Sequence, residues 1–496
     1  MSSLLVALMA LPFAVAIVTY FVPVGVSRIL TVISGALTFA LALALVPTAA
    51  AHAQVTEGSV LRVDALSVVF LVATAFLYGA TAVFAAGYLH LDPGPTGARY
   101  GRRFYALLNL FCWSMVAAPL VNGLALLWVA IEITTVISAL LVALDDTDGS
   151  TEAAWKYVLL ASLGLGIALL GTIIMYYAGS TVFGSAYDLS YVKLLAGAHR
   201  FPPDVVRLAY VLAVLGYGTK MGLVPVHTWL PDAHSEAPTP VSALLSGSLL
   251  AISFYAILRF FQIGVRTLGP TFPRDTLLVF GVASLLLAAL YLLSQRDLKR
   301  LLAYSSVEHM GILAIGMSFA APIAVVGVLL HVLAHAAAKG TAFFGAGSVI
   351  RKFATKDMAK IRGGIGALPW SGPMLVAAVL ALSALPPFGI FRSEFLIVAG
   401  GLSDPHDAVA AILVVLVTVA FFGLSWFTSQ TMLTPDQPAV ADAAAGARPL
   451  VKGEVSVWIV VSMVLGLGAL LVLGVHVPSQ LSQLLDRAAG ELGSPR

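Results

Sequence analysis

The chain has 496 residues, 60% hydrophobic and 10% charged, with a formal net charge of +3 and a mean hydropathy of +0.98. Soluble domains carry about 25% charged residues, so a soluble globular enzyme is excluded and an all-α polytopic membrane protein is expected. The single cysteine, Cys112, excludes an intrachain disulfide, a cysteine-held iron–sulfur cluster and a cysteine-based zinc site, and no Gly-rich phosphate loop follows a predicted strand.

Apolar windows of about 20 residues predict membrane-spanning helices. In chain order they fall near 3–21, 29–50, 64–88, 103–120, 122–144, 153–178, 207–224, 241–262, 276–295, 300–320, 321–349, 371–400, 407–433 and 455–476, fourteen spans in all. The first lacks a basic segment before its apolar run, so it reads as a retained helix rather than a cleaved signal. Spans 4 and 5 are separated only by Pro119 and Asn122-Gly123. Loops on the side opposite the N-terminus hold most of the cations, among them Arg99, Arg102, Arg103, Lys299, Arg300, Arg351, Lys352, Lys356, Lys360 and Arg362. The positive-inside rule then places both termini on the non-cytoplasmic side of the cell (inner) membrane.

Of the 27 Lys and Arg residues, only Lys220, Lys339 and Arg392 fall inside the spans; the rest, Arg259 included, read as loop or span-end cations. The acids well inside are Glu132, Glu308 and Glu394. A charge in hydrocarbon costs several kcal/mol, so these six mark an ion or proton path by default. Satisfied structural ion pairs, such as Glu132 with Lys220, are the alternative.

Two spans are interrupted. Span 7 runs into GTKMGLVPVHTWLPDAHSEAPTP, and span 12 breaks at Pro386-Pro387 within LSALPPFGIFRSEF. Proline removes a backbone donor, and the carbonyls it frees are tolerated at depth only where protein or a watery cavity satisfies them. The breaks lie five spans apart, an odd offset that inverts topology, so two inverted five-helix repeats are expected, spans 4–8 and 9–13. The corresponding segments are 1–100 (three N-terminal helices), 103–262, 276–433, and 434–496 with span 14 and a short amphipathic tail.

On span 11, His331, His335 and Lys339 recur at i, i+4 and i+8, one helix face of groups able to relay protons. A metal held by His331 and His335 lacks a third ligand nearby in sequence. His309, next to Glu308, would bridge the stripe to span 10. His227 and His234 flank the span 7 break, where they either join the path or cap freed backbone.

The stretch KMGLVPVHTWLPDAHSEAPTPVSALL resembles the signature of the antiporter-like subunits of complex I, membrane-bound hydrogenases and Mrp-type antiporters. EAAWKYVLLASLGLGIALLGT, AYSSVEHMGILAIG, RKFATKDMAKIRGG and LPPFGIFRSEFLIV are similar to the hydrogenase-4 component F branch of group 4 [NiFe] hydrogenases. The resemblance implies fourteen core helices with inverted repeats. It implies roles for Glu132 in tuning Lys220, for Lys220 in carrying the proton, for Lys339 as a connection and for Glu394 as the exit carboxylate. It departs at span 8, where relatives carry His or Lys and this chain has Ser246, and at Arg392, which stands two residues from Glu394.

It further implies a proton-translocating subunit of a redox-driven complex, with no cofactor in this chain and any NiFe centre and iron–sulfur clusters in partner subunits. Expected partners are other membrane subunits, further antiporter-like ones among them, peripheral redox subunits and lipid, with no nucleic acid. The alternatives are a module of a gradient-driven Mrp-type antiporter or the membrane half of an inorganic-carbon uptake system.

Overall fold

The computed structural model describes residues 2–51, 54–89, 94–403, 407–434 and 451–493; parts of the expected C-terminal segment, 435–450 and 494–496, lie outside them. The helices are α1 (Ser2–Phe21), α2 (Val24–Ala51), α3 (Ala65–Tyr88), α4 (Pro95–Leu120), α5 (Leu124–Val142), α6 (Asp148–Phe183) and α7 (Tyr191–Gly197). There follow α8 (Pro203–Met221), α9 (Leu230–Glu236), α10 (Thr239–Leu244), α11 (Leu250–Leu268), α12 (Thr271–Leu292), α13 (Leu298–Ser318) and α14 (Pro322–Phe353). The rest are α15 (Gly364–Ala367), α16 (Ser371–Leu382), α17 (Gly389–Leu402), α18 (Asp407–Met432), α19 (Val457–Val475) and α20 (Ser479–Leu492).

Every expected span lies on helix. Eleven segments among the described residues are long and apolar enough to cross a membrane. The other three expected spans are α8, α13 and the α16–α17 pair. One element had no sequence counterpart: a hairpin of β1 (Gln54–Glu57) and β2 (Leu61–Asp64), turned at Gly58 with φ +59°. Its polar, alternating residues lack the long apolar run that marks a span, so only strand pairing reveals it.

The α4–α5 boundary rests on Gly123. Its φ of +115° is open to glycine, and a Cβ there would come within 2.5 Å of the Leu189 carbonyl oxygen. Close packing elsewhere uses the same absence. A Cβ on Gly216 of α8 would meet the Ala168 amide of α6 at 2.4 Å, and one on Gly327 of α14 would meet the Ser393 carbonyl of α17 at 2.9 Å. Without a hydrophobic drive between helices in lipid, such backbone approaches supply the dispersion energy that joins them.

Helices α3, α11 and α14 are buried nearly all round and form the centre. Outer helices turn large apolar side chains outward, for example Trp155, Leu163, Phe422 and Trp426. Such faces suit hydrocarbon rather than water.

At the hairpin end of the molecule, Arg259 of α11 is buried, although its position near the end of a hydropathy window reads as a loop. Its guanidinium donates to both oxygens of Asp64 at 2.8 and 2.6 Å, and to Ser67 Oγ, Tyr255 Oη and Gln262 Oε1. Burial alone would raise the Asp64 carboxyl, but Arg259 and Arg62 beside it hold it well below the usual carboxylate range.

The tail helix α20 docks on this cluster. Glu491 accepts from the amides of Ala65 and Leu66 at 3.2 and 3.1 Å, at the N-terminus of α3, and Gln262 Nε2 donates to the Glu491 carbonyl. Burial, and then the Asp64 charge, push the Glu491 carboxyl up to about 7. A raised pKa in the docked state means that its contribution to docking is present at low pH and lost as pH rises through about 7. Hydrogen exchange of residues 479–492, corrected for intrinsic rates, is therefore expected to be faster at pH 8 than at pH 6. In Glu491→Gln that difference should vanish; a difference that persists would assign it to another group.

Candidate functional site

Lys220 occupies the last turn of α8, which stops at Gly222 with φ +88°. The carbonyls freed by the break find partners: Trp229 Nε1 donates to the Thr219 oxygen at 2.7 Å. The Val224 amide, in turn, donates to Ser284 Oγ at 2.9 Å. Both expected breaks are thus present, the second between α16 and α17, and each contains a cis prolyl bond, at Val224-Pro225 and Pro386-Pro387.

Lys220 is fully buried, and its Nζ donates to the Ile131 carbonyl at 3.3 Å and to Thr135 Oγ1, both on α5. It also lies 5.6 Å from the Tyr157 ring centroid, a cation–π distance. Glu132, one residue on, turns to α6, where Ser162 Oγ donates to Oε1 at 3.2 Å and buried Oε2 has no hydrogen-bond partner. No ion pair within 4.0 Å joins Glu132 to Lys220 among the described residues. The directly paired alternative is therefore not the arrangement found. Lysine takes a carbonyl and a hydroxyl, and the carboxylate is left near it with spare acceptor capacity.

Lys339 repeats this pattern. From α14 its Nζ donates to the Leu302 carbonyl at 3.0 Å and to Ser305 Oγ on α13, the helix that carries Glu308. Glu308 Oε2 is buried without a partner. Ser306 Oγ donates to the same Leu302 carbonyl and stands 2.7 Å from Ser246 Oγ. Ser246 sits in a single π-helical turn, Leu245–Leu249, between α10 and α11. Such turns recur at functional sites, and this one brings the span 8 hydroxyl into the polar cluster around Lys339. No side-chain hydrogen bond joins Lys220 to Ser246 among the described residues.

Toward span 12 the order differs from that expected. His309 Nδ1 lies 3.1 Å from His331 Nε2, His331 Nδ1 lies 3.0 Å from Ser393 Oγ, and His309 Nδ1 lies 3.9 Å from Glu394 Oε1. His309 thus stands between His331 and Glu394. His335 lies nearby, edge-on to His309 with ring centroids 5.3 Å apart, and neither of its ring nitrogens is hydrogen-bonded. Glu394 Oε1 is likewise buried and unpartnered, and the residue is among those lining a cavity of about 380 Å³ with Ser383, Phe391, Phe395 and Leu413.

Arg392 points away, toward the Gly474 carbonyl at 3.5 Å. Residues two apart on a helix do not face each other, so Arg392 does not hold the Glu394 carboxylate. His234 Nδ1 donates to the Leu230 carbonyl at 2.7 Å, a cap within α9, and its Nε2 has no partner. His227 is buried with Nδ1 unpartnered. Around α9, Lys299 donates to the Ser235 and Ala237 carbonyls, Lys356 pairs with Glu236 at 2.6 Å, and Arg300 with Asp232 at 2.5 Å. Lys299 is only 5% exposed, so it too is no free loop cation.

Residues 121–423, which hold the whole chain of acids, lysines and histidines, match the NADH:quinone oxidoreductase/Mrp antiporter transmembrane family. The chain belongs to that family. The hydrogenase-4 component F homolog of Methylacidiphilum infernorum (isolate V4) is 37% identical over 369 residues, 73% of this chain and 76% of that protein. The NADH-quinone oxidoreductase subunit N of Desulforudis audaxviator (strain MP104C) is 34% identical over 370 residues, 74% of this chain and 71% of that protein. In fold, a chain of the archaeal membrane-bound sulfane sulfur reductase matches with a TM-score of 0.84 at 20% identity, covering 98% of this chain and 97% of that one.

Glu132, Lys220, Glu308, His331, Lys339 and Glu394 of this antiporter-like membrane subunit all lie within the matched segment. Two members of the cluster are weakly marked in the sequence. Ser393 is visible in sequence only as the neighbour of Glu394 in FRSEF, and the weight of His309 follows from α13 facing α14, which periodicity does not show.

Proposed function

We propose that this chain is the proton-translocating membrane subunit of a redox-driven complex, a group 4 [NiFe] hydrogenase or a related complex-I-like oxidoreductase. One observation carries the reading: two buried lysines make the same contacts on neighbouring helices that bear a glutamate, and a histidine pair leads from the second toward Glu394. In this reading α8, α13 and α16–α17 join the eleven apolar segments to make fourteen spans. Spans 4–8 and 9–13 are inverted repeats, and both termini are non-cytoplasmic.

Glu132 tunes Lys220, because a carboxylate nearby stabilises an ammonium and its displacement favours proton release. Lys339, with Ser246 and Ser306, connects the halves, and His309, His331 and Ser393 pass the proton to Glu394. His335, Glu308, His227 and His234 are auxiliary. Redox centres belong to partner subunits.

The second reading, a Mrp-type antiporter module, is favoured by the breadth of the family, whose description includes Mrp antiporters. Purification of the native complex in mild detergent, with mass spectrometry and a metal assay, separates the two. Nickel and iron with hydrogenase-like subunits are expected. Small antiporter-like chains without either metal, or a zinc-containing soluble partner of an inorganic-carbon system, would overturn the redox-driven reading.

A further inference from the structure

The geometry points to a divalent transition-metal site built into the end of the relay, with His309 Nδ1, His331 Nε2 and Glu394 Oε1 as ligands and Zn²⁺ as the ion that fits. The three atoms lie within 4.8 Å of one another, with His309 to His331 at 3.1 Å and His309 to Glu394 at 3.9 Å. Zinc takes nitrogen and oxygen ligands at about 2.0–2.1 Å in tetrahedral array, which sets ligand atoms roughly 3.3 Å apart. His309 and His331 already stand near that spacing, and the Glu394 carboxylate, 3.9 Å from His309 with all three atoms within 4.8 Å, reaches it by a side-chain shift of about 1 Å. Two imidazoles and one carboxylate suit borderline ions such as Zn²⁺ over Mg²⁺ or Ca²⁺, which prefer all-oxygen sites.

The surrounding contacts point to a ligand independently of that spacing. Glu394 Oε1 is a carboxylate oxygen with no hydrogen-bond partner on a residue only 6% exposed, and it is turned toward the two rings. Ser393 Oγ stands 3.0 Å from His331 Nδ1, an outer-shell partner that leaves the Nε2 lone pair available. His309 Nε2 has no partner, so the ring can carry its proton there and free Nδ1 for the ion. The ion takes the place of the proton between the two rings. A fourth position is left for water or for His335, whose ring nitrogens are both unpartnered. The cavity beside Glu394 gives a way in.

The inference rests on the relay reading for its consequence: an ion here holds both histidines and the carboxylate, and proton passage stops until a chelator removes it. Ion binding itself does not depend on that reading.

The test uses full-length protein purified in detergent without a polyhistidine tag, stripped with chelator and titrated with Zn²⁺ alone. One tightly held equivalent is expected, and Co²⁺ in its place should give the visible absorption of a four-coordinate ion. His331→Gln and Glu394→Gln should each weaken binding about tenfold or more. His476→Asn, at an exposed histidine outside the path, should not change it and controls for surface binding. A monodisperse elution profile shows that the variants are folded. No Zn²⁺ held by wild type, or equal binding by both relay variants, would overturn the site. Binding at this site without any loss of proton transport would leave the metal site standing and sink the relay through it.

Discussion

Lys220→Met is expected to reduce proton translocation to background, at least about tenfold, while the complex still assembles. Lysine and methionine are similar in length, and methionine fills irregular space well, so the change removes an amine without opening a large cavity. An acceptor left unpaired in the interior costs about 1–3 kcal/mol, which would endanger the fold if nothing replaced the amine. Here replacements are present. Thr134 Oγ1 already donates to the Ile131 carbonyl at 2.6 Å and Thr135 Oγ1 approaches it at 3.4 Å, so neither acceptor of Lys220 is abandoned.

Lys220→Arg sharpens the result. Arginine keeps the positive charge but does not release its proton near neutral pH, so a proton carrier is lost and a merely structural cation is kept. Dye-detected acidification in vesicles, beside a native gel for assembly, decides between them. Inactive but assembled Lys220→Met and Lys220→Arg are expected. Pumping at the wild-type rate in Lys220→Met would remove Lys220 from the path, and in Lys220→Arg alone would make it a structural charge.

Arg259→Leu should be the most destabilising single substitution of this pair, at about 3–5 kcal/mol. The arginine is buried beneath a bidentate pair with Asp64, and four further acceptors and rings close on it. Its removal leaves the buried Asp64 carboxylate with only Arg62 as a cation beside the Ser67 amide, among the described residues, and loosens the seat of α20. The exposed pairs elsewhere, such as Arg207 with Asp204, contribute little by comparison, since solvent screens them. Heating in detergent and counting monodisperse protein by size exclusion checks the effect. The double variant Asp64→Asn with Arg259→Leu should recover part of the loss, because the stranded carboxylate becomes a neutral amide that can still accept from the Ser67 amide and from Arg62. If the single variant is as heat-stable as wild type, the cluster is not what holds the hairpin, α11 and the tail together.

Much of the architecture was legible in order along the chain. An apolar run of about 20 residues in hydrocarbon has to satisfy its own backbone and therefore becomes helix, which is why each of the fourteen expected stretches lies on one. Prolines at 225 and 386–387 mark the breaks for an equally local reason. The buried ionisable groups on spans 5, 7, 10, 11 and 12 stood out because charge is rare in such runs.

What tertiary structure alone decided is which of those groups meet. Hydropathy windows average over neighbours, so Arg259 near a window edge reads as a loop cation, whereas Asp64 at the end of β2 pairs with it in the interior. Helical periodicity put His331, His335 and Lys339 on one face but says nothing of the helix opposite, and it is α13 that brings His309 to His331. Sequence adjacency suggests Arg392 for Glu394, whereas the helix turn points the two apart; opposite charge suggests Glu132 for Lys220, whereas Lys220 takes the Ile131 carbonyl and Glu132 takes Ser162. Local composition thus determined which stretches become apolar helices and flagged the charges in their middles, but not those near their ends, such as Arg259 and Lys299. The path itself is made of contacts between helices distant in sequence, and these depend on close packing in three dimensions.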